Sequence, residues 1–598
     1  MRANLYRMGP LATGIAAIGL LLAATQLLGP GQLDQLTLWT AESVLALSLS
    51  LVWGQGGIFS LGQTAFYGLA AYAYGVVAVN LAGGVFLPAA LGAAAGVALL
   101  AAAVVGYFML YSRVGPVNVA IITLALTLVL YALINNTASP NYHIGLARIG
   151  GFNGMTGIPL VRTGGPASLP MSRAEAFLFV GVLGVVVFVG VAYLLRTPFG
   201  RVAAAVRSNE RRAELFGYDV RWQRWLLFVV GAAIAGLAGG LFVVWGSFVT
   251  PTVFALQPAV LVLIWILVGG RDQVLGAPLG VFGVEAVTSW LGGSQGQYSP
   301  IYLGLVLIAI VLLLPGGLLS VFGLGARLRN QGRIATQAVV APTVQQLPIA
   351  HQSHAELSVA ELRKRFAGLA AVDGVSVDFP RQGIRCVIGP NGAGKSTLFA
   401  LLTGTERPTS GRVLLNGRDI TGLPPYQRAR AGIGIKLQTA SVFADLPVHE
   451  NLWLAAYGAT HDRGAAALEA TRISGILGLD DQAEVPAGQL AHGLQQWLEI
   501  GMVLAMRPSV MLLDEPTAGM SVEETERVAA LIKRFAEASA VVVIEHDMAF
   551  IRRLDAPVTV LHLGRELAHG RIRELEADDR VLSVYLGRHH QEWGHAQA

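Results

Sequence analysis

The sequence predicts a polytopic α-helical membrane domain followed by an α/β P-loop nucleotide-binding domain. Composition gives the first reason. Of 598 residues, 54% are hydrophobic and 13% charged, against about 25% charged in soluble domains. Mean hydropathy is +0.57. The second reason is a split: the long apolar runs lie before about residue 325 and most acidic residues lie after it. The third is the stretch Gly389-Pro390-Asn391-Gly392-Ala393-Gly394-Lys395-Ser396-Thr397, which fits G-x-x-x-x-G-K-[ST]. It lies between a strand-like run, Ile384–Ile388, and a helix-like run, Thr397–Leu402.

In the first half, apolar runs suit helices at roughly 10–29, 36–53, 58–79, 84–111, 117–135, 174–195, 225–246, 255–270, 274–291 and 301–319. Each approaches the ~20 residues needed to cross a ~30 Å hydrocarbon layer. About ten spans would leave both ends of this half in the cytoplasm. Arginine placement agrees with that count. Arg196, Arg201, Arg207, Arg211, Arg212, Arg221 and Arg224 fall between the sixth and seventh runs. At ~2.5–3.5 kcal/mol each, their burial in lipid would cost on the order of 20 kcal/mol, so this loop is expected on the cytoplasmic side. The loop from Asn136 to about Ser172 carries few charges and is expected outside. Glycine-rich interruptions stand at Gly54–Gly57 and at Gly269–Asp272, a pattern typical of transporters built on broken helices. Glu42 and Glu285 are the clearest carboxylates within the spans and are candidates for a solute path.

The segment Gly200–Gly217 has apolar residues at helical spacing, with Gly217 as a helix stop. An amphipathic cytoplasmic helix of this kind could lie on lipid or dock on a soluble domain. From the spacing alone the two are equally supported.

A transmembrane domain is expected at 1–325, a linker at 326–355, a soluble nucleotide-binding domain at 356–590 and a tail at 591–598. The linker is polar and aperiodic, and as a coil of about 30 residues it would span roughly 30 Å. Its His351 and His354 have no third ligand nearby, so they read as solvated residues rather than metal ligands. The single cysteine, Cys386, excludes an intramolecular disulfide and reads as an inert core thiol. The net charge of +5 is explained by cytoplasmic membrane loops, with no nucleic acid implied.

In the soluble half, a glycine-rich turn between strand and helix lets backbone N–H groups surround phosphate oxygens. Lys395 is expected to reach the β/γ-phosphates of ATP, and the Ser396 hydroxyl to coordinate Mg²⁺. A second strand-like run, Val510–Leu513, ends in Asp514-Glu515. Asp514 would bind Mg²⁺ and Glu515 would orient the attacking water. A third run, Ala540–Ile544, leads to Glu545-His546, where His546 is expected to contact the γ-phosphate. Gln438 follows the run Gly434–Leu437 and is a candidate contact for Mg²⁺ or the water. Phe366 could stack on adenine or serve as an ordinary core aromatic.

These motifs, in this order, resemble an ATP-binding-cassette (ABC) ATPase domain. Ile388–Lys395, Trp497-Leu498-Glu499-Ile500, Glu545-His546-Asp547-Met548 and Val584-Tyr585-Leu586-Gly587 resemble the ATPases of branched-chain amino acid importers, a group that includes urea and short-amide importers. Gly56–Gln63 and Gly200–Gly217 resemble the permeases of the same systems, the latter at the place of their coupling helix. That resemblance favours docking on an ATPase over the lipid surface. It also implies a signature segment contacting the γ-phosphate held by the opposite subunit. Here it reads Leu490-Ala491-His492-Gly493-Leu494 in place of Leu-Ser-Gly-Gly-Gln, which leaves backbone N–H groups around Gly493 to serve.

The implied function is ATP-driven import of a small polar or amphipathic solute, most simply branched-chain amino acids, across a bacterial inner membrane. Gly519-Met520-Ser521 leans toward the urea branch. The implied partners are a second permease unit, a second ATPase unit, a periplasmic solute-binding protein and membrane lipid. An ABC exporter half and a non-transport membrane ATPase are the rival readings. Exporter halves usually have about six spans with long cytoplasmic extensions.

Overall fold

The computed structural model describes residues 10–81, 86–112, 114–162, 169–295, 299–314, 316–319 and 355–586. The linker at 326–354, with His351 and His354, and the tail at 591–598 lie outside the described residues. The chain divides into two compact units, and the division is not a single cut. Ser208–Val220, flanked on both sides by membrane-half sequence, belongs with the C-terminal unit.

The first unit is helical: α1 (Pro10–Leu27), α2 (Pro30–Leu49), α3 (Gln63–Asn80), α4 (Leu87–Tyr111), α5 (Pro116–Asn135), α6 (Arg173–Leu194), α7 (Pro198–Ser208), α9 (Val220–Gly246), α10 (Leu256–Gly269), α11 (Gly276–Gln295) and α12 (Ser299–Leu313). The short α8 (Glu210–Leu215) belongs to the other unit. Six helices among the described residues are long and apolar enough to cross a membrane: Pro10–Leu27, Pro30–Gln55, Leu87–Tyr111, Pro116–Asn135, Arg173–Leu194 and Val220–Gly246. Several begin at a proline, whose missing N–H is unneeded in a first turn. Ser172 and Glu175 cap α6 reciprocally. Leu100, Phe108, Val117, Ile121 and Leu312 are exposed, as suits side chains facing lipid. A two-stranded ribbon, β1 (His143–Ile144) and β2 (Ala147–Arg148), lies in the loop after α5.

The glycine-rich interruptions meet inside this unit. α2 runs on as a π-helical stretch, Ser50–Gln55, before the chain breaks. A Cβ at Gly54 would sit 2.1 Å from the Arg271 carbonyl oxygen, so only glycine permits this approach. Gln55 Nε2 donates to the Asp272 carbonyl at 3.0 Å. Arg207 donates to both sides of the junction, to the Gly54 carbonyl and to Asp272 Oδ1. Glu285 Oε1 accepts from Trp265 Nε1 at 3.1 Å.

The expectation of one continuous amphipathic helix over Gly200–Gly217 is corrected. Asn209 breaks it into α7 and α8, and its side chain caps α8 by accepting from the Arg212 N–H at 3.0 Å. Gly217 ends the segment at φ +89°, as expected.

The second unit holds two sheets. The six-stranded sheet has the order β12 (Arg565–Arg571), β11 (Pro557–His562), β5 (Gly383–Ile388), β10 (Ala540–Ile544), β9 (Val510–Asp514) and β8 (Ile433–Lys436). All but the edge strand β12 pair in parallel. The central strands are apolar runs without alternation because both faces are covered. Cys386, on β5, is fully buried there and its thiol is pushed up to about 12 by burial. A smaller antiparallel sheet has the order β4 (Leu369–Asp378), β3 (Leu357–Phe366), β6 (Ser410–Leu415) and β7 (Arg418–Asp419). Helices relevant to the site are α13 (Lys395–Thr403), α14 (Pro425–Arg430), α15 (Val448–Thr460), α16 (Arg463–Leu477), α17 (His492–Ala505), α18 (Val522–Ala536) and α19 (Met548–Leu554).

Candidate functional site

The C-terminal ends of β5, β8, β9 and β10 lie side by side, and each delivers one part of a single site. Loops at the carboxyl ends of parallel strands are where open α/β sheets bind ligands. After β5 the chain turns through Gly392 at φ +83° and Gly394 at φ +100°, then enters α13 at Lys395. A Cβ at Gly394 would meet the Ala371 carbonyl oxygen at 2.3 Å, whereas one at Gly392 would meet nothing within 4 Å. Glycine is thus needed for packing on one side of the loop, and the other side is open for a phosphate. The Lys395 ammonium donates to the Gly389 and Pro390 carbonyls at 2.7 and 3.1 Å. Burial lowers its pKa, and Glu515 and Asp514 oppose that shift. Ser396 and Thr397 occupy the first turn of α13, where free N–H groups and the helix dipole favour an anion.

Asp514 ends β9, and burial, then the neighbouring Glu515, push its carboxyl up to about 6. Glu515 follows at φ +44°, in the left-handed region, which turns the chain sharply off the strand. Its Oε2 accepts from Gln438 Nε2 at 2.8 Å, and its Oε1 lies 3.5 Å from His546 Nδ1. Three residues singled out from separate parts of the sequence therefore meet at one carboxylate. With its amide nitrogen on Glu515, Gln438 keeps Oε1 for a cation. This oxygen, the Ser396 hydroxyl and Asp514 are hard oxygen donors, the ligand chemistry that suits Mg²⁺.

Other candidates sit apart from this cluster or toward its edge. Phe366, at the end of β3, is 43% exposed, with the Lys364 ammonium 4.7 Å from its ring centroid. At that exposure the ring is not packed into the core. Ala491 is the N-cap of α17, and exposed His492 and partly exposed Gly493 form its first turn. The degenerate segment thus still presents a helix N-terminus.

Two features escaped the sequence reading. Glu545 is fully buried and accepts from Thr517 Oγ1 at 2.8 Å, holding the loop after Glu515 against the end of β10. The other is the bed on which Ser208–Val220 lies. Phe216 and Leu215 are buried, and the Phe216 ring lies 6.1 Å from Phe443. Tyr218 Oη donates to the Leu454 carbonyl at 2.6 Å, and Arg430 Nε donates to the Gly217 carbonyl at 2.7 Å. Asn209 Nδ2 donates to Ser441 Oγ at 3.1 Å.

A phosphate loop, a carboxylate pair ending a neighbouring strand, and a glutamine and histidine converging on that pair define an ATP-binding-cassette ATPase. Comparison with known proteins narrows the class. Residues 33–315 match the family described as branched-chain amino acid transport system / permease component, and residues 372–518 match the ABC transporter family. The branched-chain amino acid transport ATP-binding protein BraF of Pseudomonas aeruginosa is 35% identical over 248 residues, covering 39% of this chain and 97% of BraF. LivG of Escherichia coli K12, described in the same terms, is 35% identical over 254 residues, with 39% and 97% covered. A nucleotide-free ATP-binding cassette from an ABC transporter aligns with a TM-score of 0.36 at 26% identity, covering 39% of this chain and 98% of that one. The chain belongs to the branched-chain amino acid transport family of ABC importers, and it joins a permease and a transport ATPase in one polypeptide.

Proposed function

We propose that this chain imports branched-chain amino acids, using ATP hydrolysis in its C-terminal unit to drive alternating access in its helical unit. The observation that carries the chemistry is the meeting of Gln438 and His546 on Glu515, beside the loop that ends β5. The loop N–H groups and Lys395 hold the β- and γ-phosphates of ATP. Glu515 accepts a hydrogen bond from a water and aligns it with the γ-phosphorus. The water oxygen bonds to that phosphorus as the bond to the bridging oxygen breaks, and ADP departs. His546 contacts the γ-phosphate, and Gln438 reports its presence. Ser396, Asp514 and Gln438 Oε1 are the groups that would hold Mg²⁺, which supplies charge neutralisation to the phosphates when bound. Phe366 offers a face for adenine. Ala491, His492 and Gly493 present the start of α17 to nucleotide on a second ATPase unit.

Names of the relatives support the choice of solute. The membership of Ser208–Val220 in the ATPase unit supports its reading as the coupling segment. The partners are a second permease, a second ATPase, and a solute-binding protein outside a bacterial inner membrane. Glu515→Gln should retain ATP and slow turnover by about 10²–10⁴-fold, the usual worth of a positioned base. Lys395→Ala should instead weaken ATP binding by about tenfold or more, the size of a lost charged hydrogen bond (about 1.5–3 kcal/mol). Normal hydrolysis by Glu515→Gln, assayed without an intact second ATPase, overturns these roles.

A further inference from the structure

The bed under the coupling segment contains a cluster of buried charges that the ATP chemistry does not use. Arg212, Lys436 and Glu499 all have fully buried side chains. Arg212 comes from α8, Lys436 ends β8, and Glu499 lies mid-way along α17, the helix that begins at the signature segment. Arg212 Nη1 is 3.0 Å from Glu499 Oε1 and donates to the Ile435 carbonyl at 2.9 Å. Its guanidinium carbon lies 4.4 Å from the centroid of the Phe216 ring. Lys436 Nζ stands farther off, 4.0 Å from Glu499 Oε2, and donates to the Leu437 carbonyl at 3.0 Å. Glu499 Oε1 also accepts from the Leu437 N–H at 3.2 Å, one residue before Gln438.

We propose that Glu499 is the positioning residue through which the coupling segment sets the place of Gln438: its one carboxylate is ion-paired with Arg212 of that segment and hydrogen-bonded to the backbone that carries Gln438. This rests on the reading of Ser208–Val220 as the coupling segment. A fully buried ion pair contributes little net stability against an apolar equivalent, because desolvation offsets the attraction. What such a pair supplies is geometry. A buried guanidinium and carboxylate in contact fix where their elements meet, where apolar contacts such as Leu215 tolerate sliding. Lys436 gives the arrangement a second feature. If Arg212 withdraws, Glu499 keeps a cation 4.0 Å away and is not left as an isolated buried charge. Arg212 can therefore shift within its bed without stranding Glu499. Because Glu499 sits on α17, the same carboxylate links the coupling segment to the helix that begins at the signature segment.

The test uses the full chain with its partner subunits and binding protein in proteoliposomes. Arg212→Met leaves the Glu499–Lys436 pair in place, so the protein should insert and hydrolyse ATP at its basal rate. Stimulation by loaded binding protein should fall by about tenfold, within the range of known coupling effects, and Arg212→Lys should recover most of it. In a Gln438→Ala background, adding Arg212→Met should cause no further loss, because the two act in series. Full stimulation of Arg212→Met, or losses that add with Gln438→Ala, overturns the proposal. Should Glu499→Gln misfold with two buried cations unmatched, the pair of arginine variants still decides. Absence of stimulation in the unaltered protein would count against the importer reading instead, so the two failures are distinguishable.

Discussion

At Gly394 the backbone holds φ +100° with the Ala371 carbonyl where a side chain would be. Gly394→Ala is expected to distort the phosphate loop and lower ATP affinity while leaving the sheet folded, as measured by nucleotide titration alongside circular dichroism. Arg428 shows the same dependence on one side chain, for stability. It is fully buried and donates to four carbonyls, those of Leu401, Leu402, Thr421 and Leu423, at 2.7–3.1 Å. Arg428→Met strands all four, and a loss of about 3 kcal/mol is expected, read from the unfolding midpoint of the ATPase unit. Arg428→Lys should recover only part, since an ammonium lacks the planar fork. Residues of the phosphate loop were legible in the sequence because their spacing encodes the chemistry locally. Arg212 was not. On an amphipathic pattern a charged residue reads as a rim contact worth little, and its burial depends on Glu499, a residue distant in sequence.

Among elements, Ser208–Val220 is the one whose placement matters most. Its apolar spacing and its glycine stop were readable, but the break at Asn209 was passed over. The signal was present: an asparagine directly before Glu210 is a helix start. The helical period simply ran through it. Docking leaves little room, since a Cβ at Gly458 of α15 would lie 2.1 Å from the Phe216 carbonyl oxygen. Gly458→Ala is therefore expected to lift the segment from its bed. ATP binding should persist while stimulation by loaded binding protein is lost, and an unchanged stimulation ratio would show that the segment does not transmit.

For the whole molecule, the division into an apolar helical unit and a P-loop ATPase was legible because composition and motif order act over hundreds of residues. Docking of Ser208–Val220 on an ATPase was readable only through the family resemblance, because the contacts that assign it to this unit are encoded by no local pattern. Topology is testable by single cysteines at Asn141 and Arg211, both exposed. Cys386 is buried with a thiol raised to about 12, so it should not react in competition. The two sites should label from opposite faces of the membrane, given the charge of their loops. The central claim is that hydrolysis at Glu515 drives solute inward through the helical unit. Its most direct measurement is uptake of radiolabelled leucine, with urea and acetamide in parallel, into proteoliposomes carrying the assembled transporter, with ATP on the ATPase side and binding protein on the other. The expected result is leucine accumulation against a gradient, dependent on ATP and abolished by Glu515→Gln. ATP-driven leucine movement in the opposite direction, or hydrolysis with no flux of any of the three solutes, would contradict it.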